Sequence, residues 1–341
     1  MVSTDVTSVP TLEQVRRLVA PTFPHRKVVS AERLAGGLCN SNLKVTFDAP
    51  HEPVVLRLYK RDPAAYGKEI GLLQLVHKTV PVPEVIGAQA EAPRDIIGVG
   101  PYALIEYVNG ITFQQLKETK DLQAIQQASS SIGKTLAAIG RYQFARPGVI
   151  SASARVTGKA EHELEVTGSY IEGRDPIPRI LDSYLGSANL QRRIGTGLAR
   201  RIHDFMWSWA PRLPQLDDGP ELVQCLVHSD LDQSNILVRQ VEGKWVVAAV
   251  LDWEFAFSGS PLTDVGHFLR FERSAKPLRE PYFSRAFVEH GGRLPEDWRQ
   301  VIRVIDLTGL CETLTHEELP PYVLREMLGL ILATLENRDP Y

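Results

Sequence analysis

Apolar positions in TLEQVRRLVA recur at helical spacing behind Thr11, with Gln14 three residues on. That is a capping-box pattern and predicts a first helix. From about residue 28 to 60 the pattern changes. VVSAERLAGG, SNLKVTF and PVVLRLYK are short, rich in β-branched residues and broken by Gly, Pro and Asn, which predicts consecutive antiparallel strands. Helical spacing returns from Tyr66 to about His77, through Ile70, Leu73 and Val76. VPVPEVIG and PYALIEYV read as strands again, the second ended by the turn dipeptide Asn109-Gly110. Beyond Gly110 the spacing is mostly helical, over 111–145, roughly 178–212 and 297–338, interrupted by a pair of short strands around 236–251. There is no internal repeat and no low-complexity tract. The expectation is an α+β chain: a small antiparallel-sheet lobe over 1–108 and a larger, mainly helical lobe over 109–341.

Composition narrows the function classes. With 43% apolar residues in 341, the chain can bury a substantial core. A net charge of −3 supplies no basic field of the kind that favours nucleic acid. The longest apolar run near the polar motifs, Trp245 to Leu251, is too short to span a membrane. MVSTDVTSVP has neither a basic n-region nor an apolar h-region, so no secretory signal is expected. Cys39, Cys225 and Cys311 are odd in number and far apart, which argues for a reducing compartment and against structural zinc. A cytoplasmic protein is expected.

Two stretches carry the chemistry. LVHSDLDQSNILV (226–238) places His228, Asp230, Asp232 and Asn235 inside an apolar run, and VLDWEFA (250–256) ends a second run on Asp252. Burying polar groups is costly unless they are paired or coordinate something. A carboxylate such as Asp230, held on a rigid loop, can align and deprotonate a hydroxyl. The Asn235 carbonyl oxygen and the Asp252 carboxylate are suitable hard ligands for Mg²⁺, which prefers a few such oxygens plus phosphate oxygens to a full protein cage. One base and two metal ligands are what phosphoryl transfer requires, because its catalysis is mostly positioning and charge neutralisation. The same residue types are also common in turns and caps.

HSDLDQSN keeps the His, Asp, Leu and Asn of the protein-kinase HRDLxxxN signature, and DWE (252–254) stands where DFG would be. The likeness is closer still to the aminoglycoside phosphotransferase and choline kinase-like family, whose motifs are HGDLxxxNIL and DWExAxxGxPxxD. Here they read HSDLDQSNIL and DWEFAFSGSPLTD, ending at Asp264; Ser229 stands where the family most often has Gly, with little cost expected. The resemblance runs from about 30 to 270 and implies a bilobal protein-kinase-like fold. It also implies ATP or GTP as co-substrate, Mg²⁺, and a small-molecule hydroxyl acceptor. In RLAGGLCNSNLKV, Gly36, Gly37 and Asn40 resemble the nucleotide loop. Arg57 in VVLR falls where protein kinases have the phosphate-contacting Lys, and Glu69 is its natural orienting partner. LIEYVNG resembles the hinge, where backbone groups of about Glu106 to Val108 would meet the base.

The remaining features receive plainer readings. His228 is read as structural, Asp232 and Glu254 as loop hydrogen bonding, and Asp264 as a helix cap or a brace for the catalytic loop. Trp207, Trp209 and Trp298 are read as core. Arg192, Arg193, Arg200 and Arg201 read as a solvated face. Residues 304–341 hold seven acidic side chains, from Asp306 to Asp339, against Arg325 and Arg338, which would suit a cationic acceptor. Two rival functions stay open: a metabolic kinase for choline, homoserine or a sugar amine, and a nucleotide-binding regulatory pseudokinase. Oligomeric state has no signature in the sequence.

Overall fold

The computed structural model describes residues 9–34, 41–60, 62–93, 96, 99–153, 163–167, 175–215, 219–274 and 279–336. Helix α1 (Leu12–Val19) opens with both halves of the capping box: Gln14 N donates to Thr11 Oγ1, and Thr11 N to Gln14 Oε1. Then follow β1 (Val28–Arg33), β2 (Ser41–Phe47), β3 (Val54–Leu58), α2 (Ala65–Val76), β4 (Val85–Gln89) and β5 (Tyr102–Glu106). The strands form one antiparallel sheet in the order β1-β2-β3-β5-β4.

Central strand β3 is buried throughout, so its alternation separates two cores. Val54, Leu56 and Leu58 pack with Val15 and Leu18 of α1. Val55 and Tyr59 pack with Tyr66 and Ile70 of α2. By the same alternation Arg57 lies on the α2 side.

The rest of the chain builds β6 (Ile111–Thr112), α3 (Phe113–Glu118), α4 (Leu122–Ile139), β7 (Gly148–Ser153) and β8 (Glu163–Thr167). Helices α5 (Pro176–Leu185), α6 (Ala188–Trp209) and α7 (Pro220–Val223) lead to β9 (Cys225–Val227), β10 (Ile236–Val241), β11 (Lys244–Val250) and β12 (Phe257–Gly259). Four helices close the chain: α8 (Leu262–Leu269), α9 (Tyr282–Glu289), α10 (Trp298–Thr313) and α11 (Pro321–Leu335). Two further sheets, β11-β10-β6 and β8-β7-β12-β9, are embedded among these helices. The largest apolar cluster gathers α4, α8, α9 and α10 around Trp253, Phe268 and Phe283.

The structure departs from the expected pattern in three ways. Among the described residues, five short strands besides β10 and β11 follow Gly110: β6, β7, β8, β9 and β12. They run from two to six residues. Runs that short are specified by partners distant in sequence, such as Leu237 opposite Thr112, and carry little periodicity of their own. Arg193 does not lie on a solvated face. Its guanidinium donates to the carbonyls of Leu314, His316 and Glu317, tying α6 to the segment before α11. Asp306 is not part of an acidic surface either, being only 3% exposed. Among the described residues, no helix is long and apolar enough to cross a membrane. Cys225 and Cys311 are buried and reduced, and burial pushes the Cys311 thiol up to about 12; Cys39 lies outside the described residues.

Candidate active site

The loop after β9 and the segment after β11 meet because a hairpin joins them. Strands β10 and β11 turn at Glu242-Gly243, both with positive φ (51° and 77°), the backbone that a two-residue hairpin favours. Ile236 then pairs with Val250, and Leu251 N donates to Asn235 O at 2.9 Å. Asn235, just before β10, therefore lies beside the segment just past β11 that carries Asp252.

Asp264 and His228 clamp the loop from behind. Asp264, on the first turn of α8, accepts from His228 N (2.7 Å) and Ser229 N (2.8 Å). It therefore braces the loop, one of the two roles expected of it. The buried His228 donates from Nε2 to Leu251 O (2.8 Å), since a carbonyl can only accept. Its Nδ1 then accepts from Asp230 N at 3.3 Å, and its ring meets Trp253 edge-on at 4.7 Å. Burial pulls His228 below its ordinary range and pushes Asp264 above its own, each opposed by the other's charge. Ser229, with φ 71°, occupies the left-handed region, where glycine has no Cβ to clash.

The amide of Asn235 donates from Nδ2 to Asp230 O and to Asp230 Oδ2, both at 2.9 Å. This fixes the Asp230 carboxylate and leaves Asn235 Oδ1 as the other polar end of that amide. Burial pushes the Asp230 carboxyl above the usual range, with His267 opposing and Asp232 and Asp252 adding to the rise. Asp232 Oδ1 accepts from both N and Oγ of Ser234 at 2.9 Å, the loop bonding read from the sequence.

Arg57 and Glu69 meet under α2. Arg57 Nε donates to Glu69 Oε2 at 2.9 Å, with the two residues 4% and 2% exposed, so this is no ordinary surface pair. Burial works against the guanidinium's charge, yet Glu69 and Asp252 hold it above its ordinary range. Arg57 Nη1 also donates to Asp252 Oδ1 at 2.6 Å, across 195 positions of sequence. Among the described residues, its Nη2 is buried with no hydrogen-bond partner. Lys68 Nζ on α2 adds a bond to Ala256 O at 3.3 Å.

A cavity of ≈ 1780 Å³ opens in front of this cluster. Asp230, Asn235 and Asp252 line it, as do Ile180, Tyr184 and Glu312. Among the described residues, no three His, Cys, Asp or Glu side chains gather as a metal cage. Asn235 Oδ1 and the Asp252 carboxylate are instead hard oxygen donors on one wall. That donor set fits Mg²⁺, which completes its shell with water and phosphate oxygens. Gly36, Gly37 and Asn40 lie outside the described residues. Glu106 and Val108 are not among the residues lining the cavity, and Glu106 N already donates to Glu84 O at 2.9 Å.

Sequence reasoning passed over two residues on the cavity wall, His267 and Arg270. His267 Nδ1 donates to Ser229 O at 3.0 Å, and its Nε2 stands 4.0 Å from Asp230 Oδ1. Arg270 grips buried Asp306 through Nε and Nη2, at 2.8–3.1 Å. The available signal was spacing: Asp264 and His267, three apart, share the α8 face that meets the loop.

Residues 30–301 match the model of the phosphotransferase enzyme family. Among solved structures, a thermostable mutant of aminoglycoside phosphotransferase APH(4)-Ia, in ternary complex with ADP and hygromycin B, superposes with TM-score 0.65. It is 20% identical, over 95% of this chain and 98% of that one. Choline kinase LicA from Streptococcus pneumoniae gives 0.58 at 14% identity, over 95% and 98%. Acyl-CoA dehydrogenase family member 11 of Mus musculus is 33% identical over 95 residues. Those residues are 28% of this chain and 10% of that protein, so the chain spans about a tenth of the curated relative it matches.

Proposed function

Because the chain belongs to the phosphotransferase enzyme family, we propose that it is a small-molecule kinase, transferring the γ-phosphoryl of ATP or GTP to an acceptor hydroxyl. The observation that carries this is the convergence on one cavity wall of Asp230, Asn235 and Asp252, with Arg57 bonded to Asp252. Residues 1–108 form the nucleotide lobe, and 109–341 supply the catalytic loop and the acceptor wall. Asp230 aligns the acceptor hydroxyl and takes its proton. The hydroxyl oxygen bonds to the γ-phosphorus as the bond to the β-bridging oxygen breaks, and that electron pair leaves with the nucleoside diphosphate. Arg57, oriented by Glu69, would contact the nucleotide phosphates through its guanidinium. Asn235 Oδ1 and Asp252 would hold Mg²⁺, which would supply charge neutralisation for the transferring phosphoryl group. The sequence resemblance assigns Gly36, Gly37 and Asn40 to the phosphates and backbone groups near Glu106 to Val108 to the base.

The volume of the cavity exceeds the few hundred to about 1,000 Å³ usual for one small ligand, which favours an acceptor larger than choline beside the nucleotide. Glu312, Glu317 and Glu318 on its wall suit a cationic acceptor such as an aminoglycoside.

A coupled nucleotide-turnover assay tests the reading, with ATP and GTP in parallel and a panel of aminoglycosides, amino alcohols and sugars. Acceptor-dependent turnover should fall about 10²- to 10⁴-fold in Asp230→Asn, with nucleotide affinity retained. Full activity in that variant would reject Asp230 as the base.

A further inference from the structure

Asp230 and His267 form a pair that the mechanism above uses only in part. His267 Nδ1 stands 3.0 Å from Ser229 O, and a carbonyl only accepts, so the ring proton sits on Nδ1. In the neutral imidazole Nε2 is then a bare acceptor. Burial and neighbouring Arg270 favour that neutral form, against Asp306, Asp230 and Asp232. Nε2 faces Asp230 Oδ1 at 4.0 Å, too far for a direct hydrogen bond. The side chains are 16% and 37% exposed, and both residues line the cavity. Two acceptors therefore stand side by side where the acceptor hydroxyl must arrive. A lone hydroxyl has one proton and satisfies one of them.

Donors on adjacent carbons, gauche to each other, stand closer together than these two acceptors. They can fan out to one acceptor each, at hydrogen bonds of about 2.8 Å. On the kinase reading above, the geometry points to an acceptor that carries a second donor, a hydroxyl or an amine, on the carbon next to the phosphorylated hydroxyl. The reacting hydroxyl donates to Asp230 and the neighbouring group donates to His267 Nε2. His267 is thus a specificity residue: its bond holds the acceptor in register and no bond to it is made or broken. Where the neighbouring donor is missing, a buried acceptor is left unpaired as the cavity fills, which a polar site penalises strongly.

The test compares 1,2-hexanediol and 2-amino-1-hexanol with 1-hexanol, and the best acceptor of the wider panel with its analogue lacking the neighbouring donor. The wild-type enzyme should prefer the member with the adjacent donor by about 10- to 100-fold in kcat/KM, mostly through KM. His267→Phe should flatten that preference. His267→Gln, whose amide oxygen still accepts, should restore part of it. Equal kcat/KM within each pair, or a preference that survives His267→Phe, overturns the inference while the kinase reading stands. No nucleotide-dependent transfer to any acceptor overturns both.

Discussion

His228 and Asp230 lie two positions apart, yet one is sealed in the core and the other opens on the cavity. For His228 this has a consequence in pH. Burial holds the folded imidazole below its ordinary range, whereas the unfolded chain titrates near the usual value of about 6.5. The unfolded state therefore binds more protons as pH falls through about 6.5, and the folded state loses stability until the folded pKa is reached. Thermal midpoints of the wild-type protein should drop on going from about pH 7.5 to 5. His228→Gln should be less stable at neutral pH but lose less on acidification. Equal pH slopes for the two proteins would exclude the histidine as the source. Of the residues now seen at the site, Asp230, Asn235 and Asp252 were legible because their motifs are local. The Arg57–Asp252 bond was not, because no spacing rule spans 195 positions. His267 was passed over because a lone histidine in a helix carries no pattern of its own.

Among the elements, α8 does more than end a sheet. Asp264, on its first turn, satisfies two backbone N–H groups of the 228–229 loop, and His267, one turn on, takes the Ser229 carbonyl. Asp264→Ala leaves both N–H groups buried and unpaired, which should cost about 2–4 kcal/mol. Denaturant unfolding would measure that loss, and turnover should fall with it as Asp230 loses its fixed backbone. A variant with wild-type stability would mean that the loop is held by the hairpin alone. The long helices were legible because each repeats its period over several turns, and the first five strands because they are rich in β-branched residues and bounded by Gly, Pro and Asn. The other short strands after Gly110 were not, because strands such as the three-residue β9 and β12 depend on distant partners, β12 pairing with both β9 and β7.

At the scale of the molecule, Arg57 and Lys68 reach from the β3–α2 layer to the segment 252–256. A nucleotide bridging the same regions should add to that fastening. At a hundredfold excess over its Kd, ADP with Mg²⁺ should stabilise the fold by about 2.7 kcal/mol, read as a rise in Tm. Asp252→Ala should lose the part of that rise that depends on Mg²⁺. A rise that is the same with and without Mg²⁺ in the wild-type protein would remove Asp252 and Asn235 from the ligand set. The α+β architecture was readable from the change of period along the chain. The way one layer grips the other was not, since it rests on single side chains far apart in sequence.

On the proposed kinase reading, the bond from Arg57 to Asp252 would make a tethered guanidinium and an incoming divalent cation rivals for one carboxylate. A nucleotide that drew Arg57 onto its phosphates would take the rival away and so raise the affinity for metal. Reciprocity then requires metal to raise the affinity for nucleotide by the same factor. A site wired in this way discriminates against either cargo arriving alone and fills by cooperation between the two.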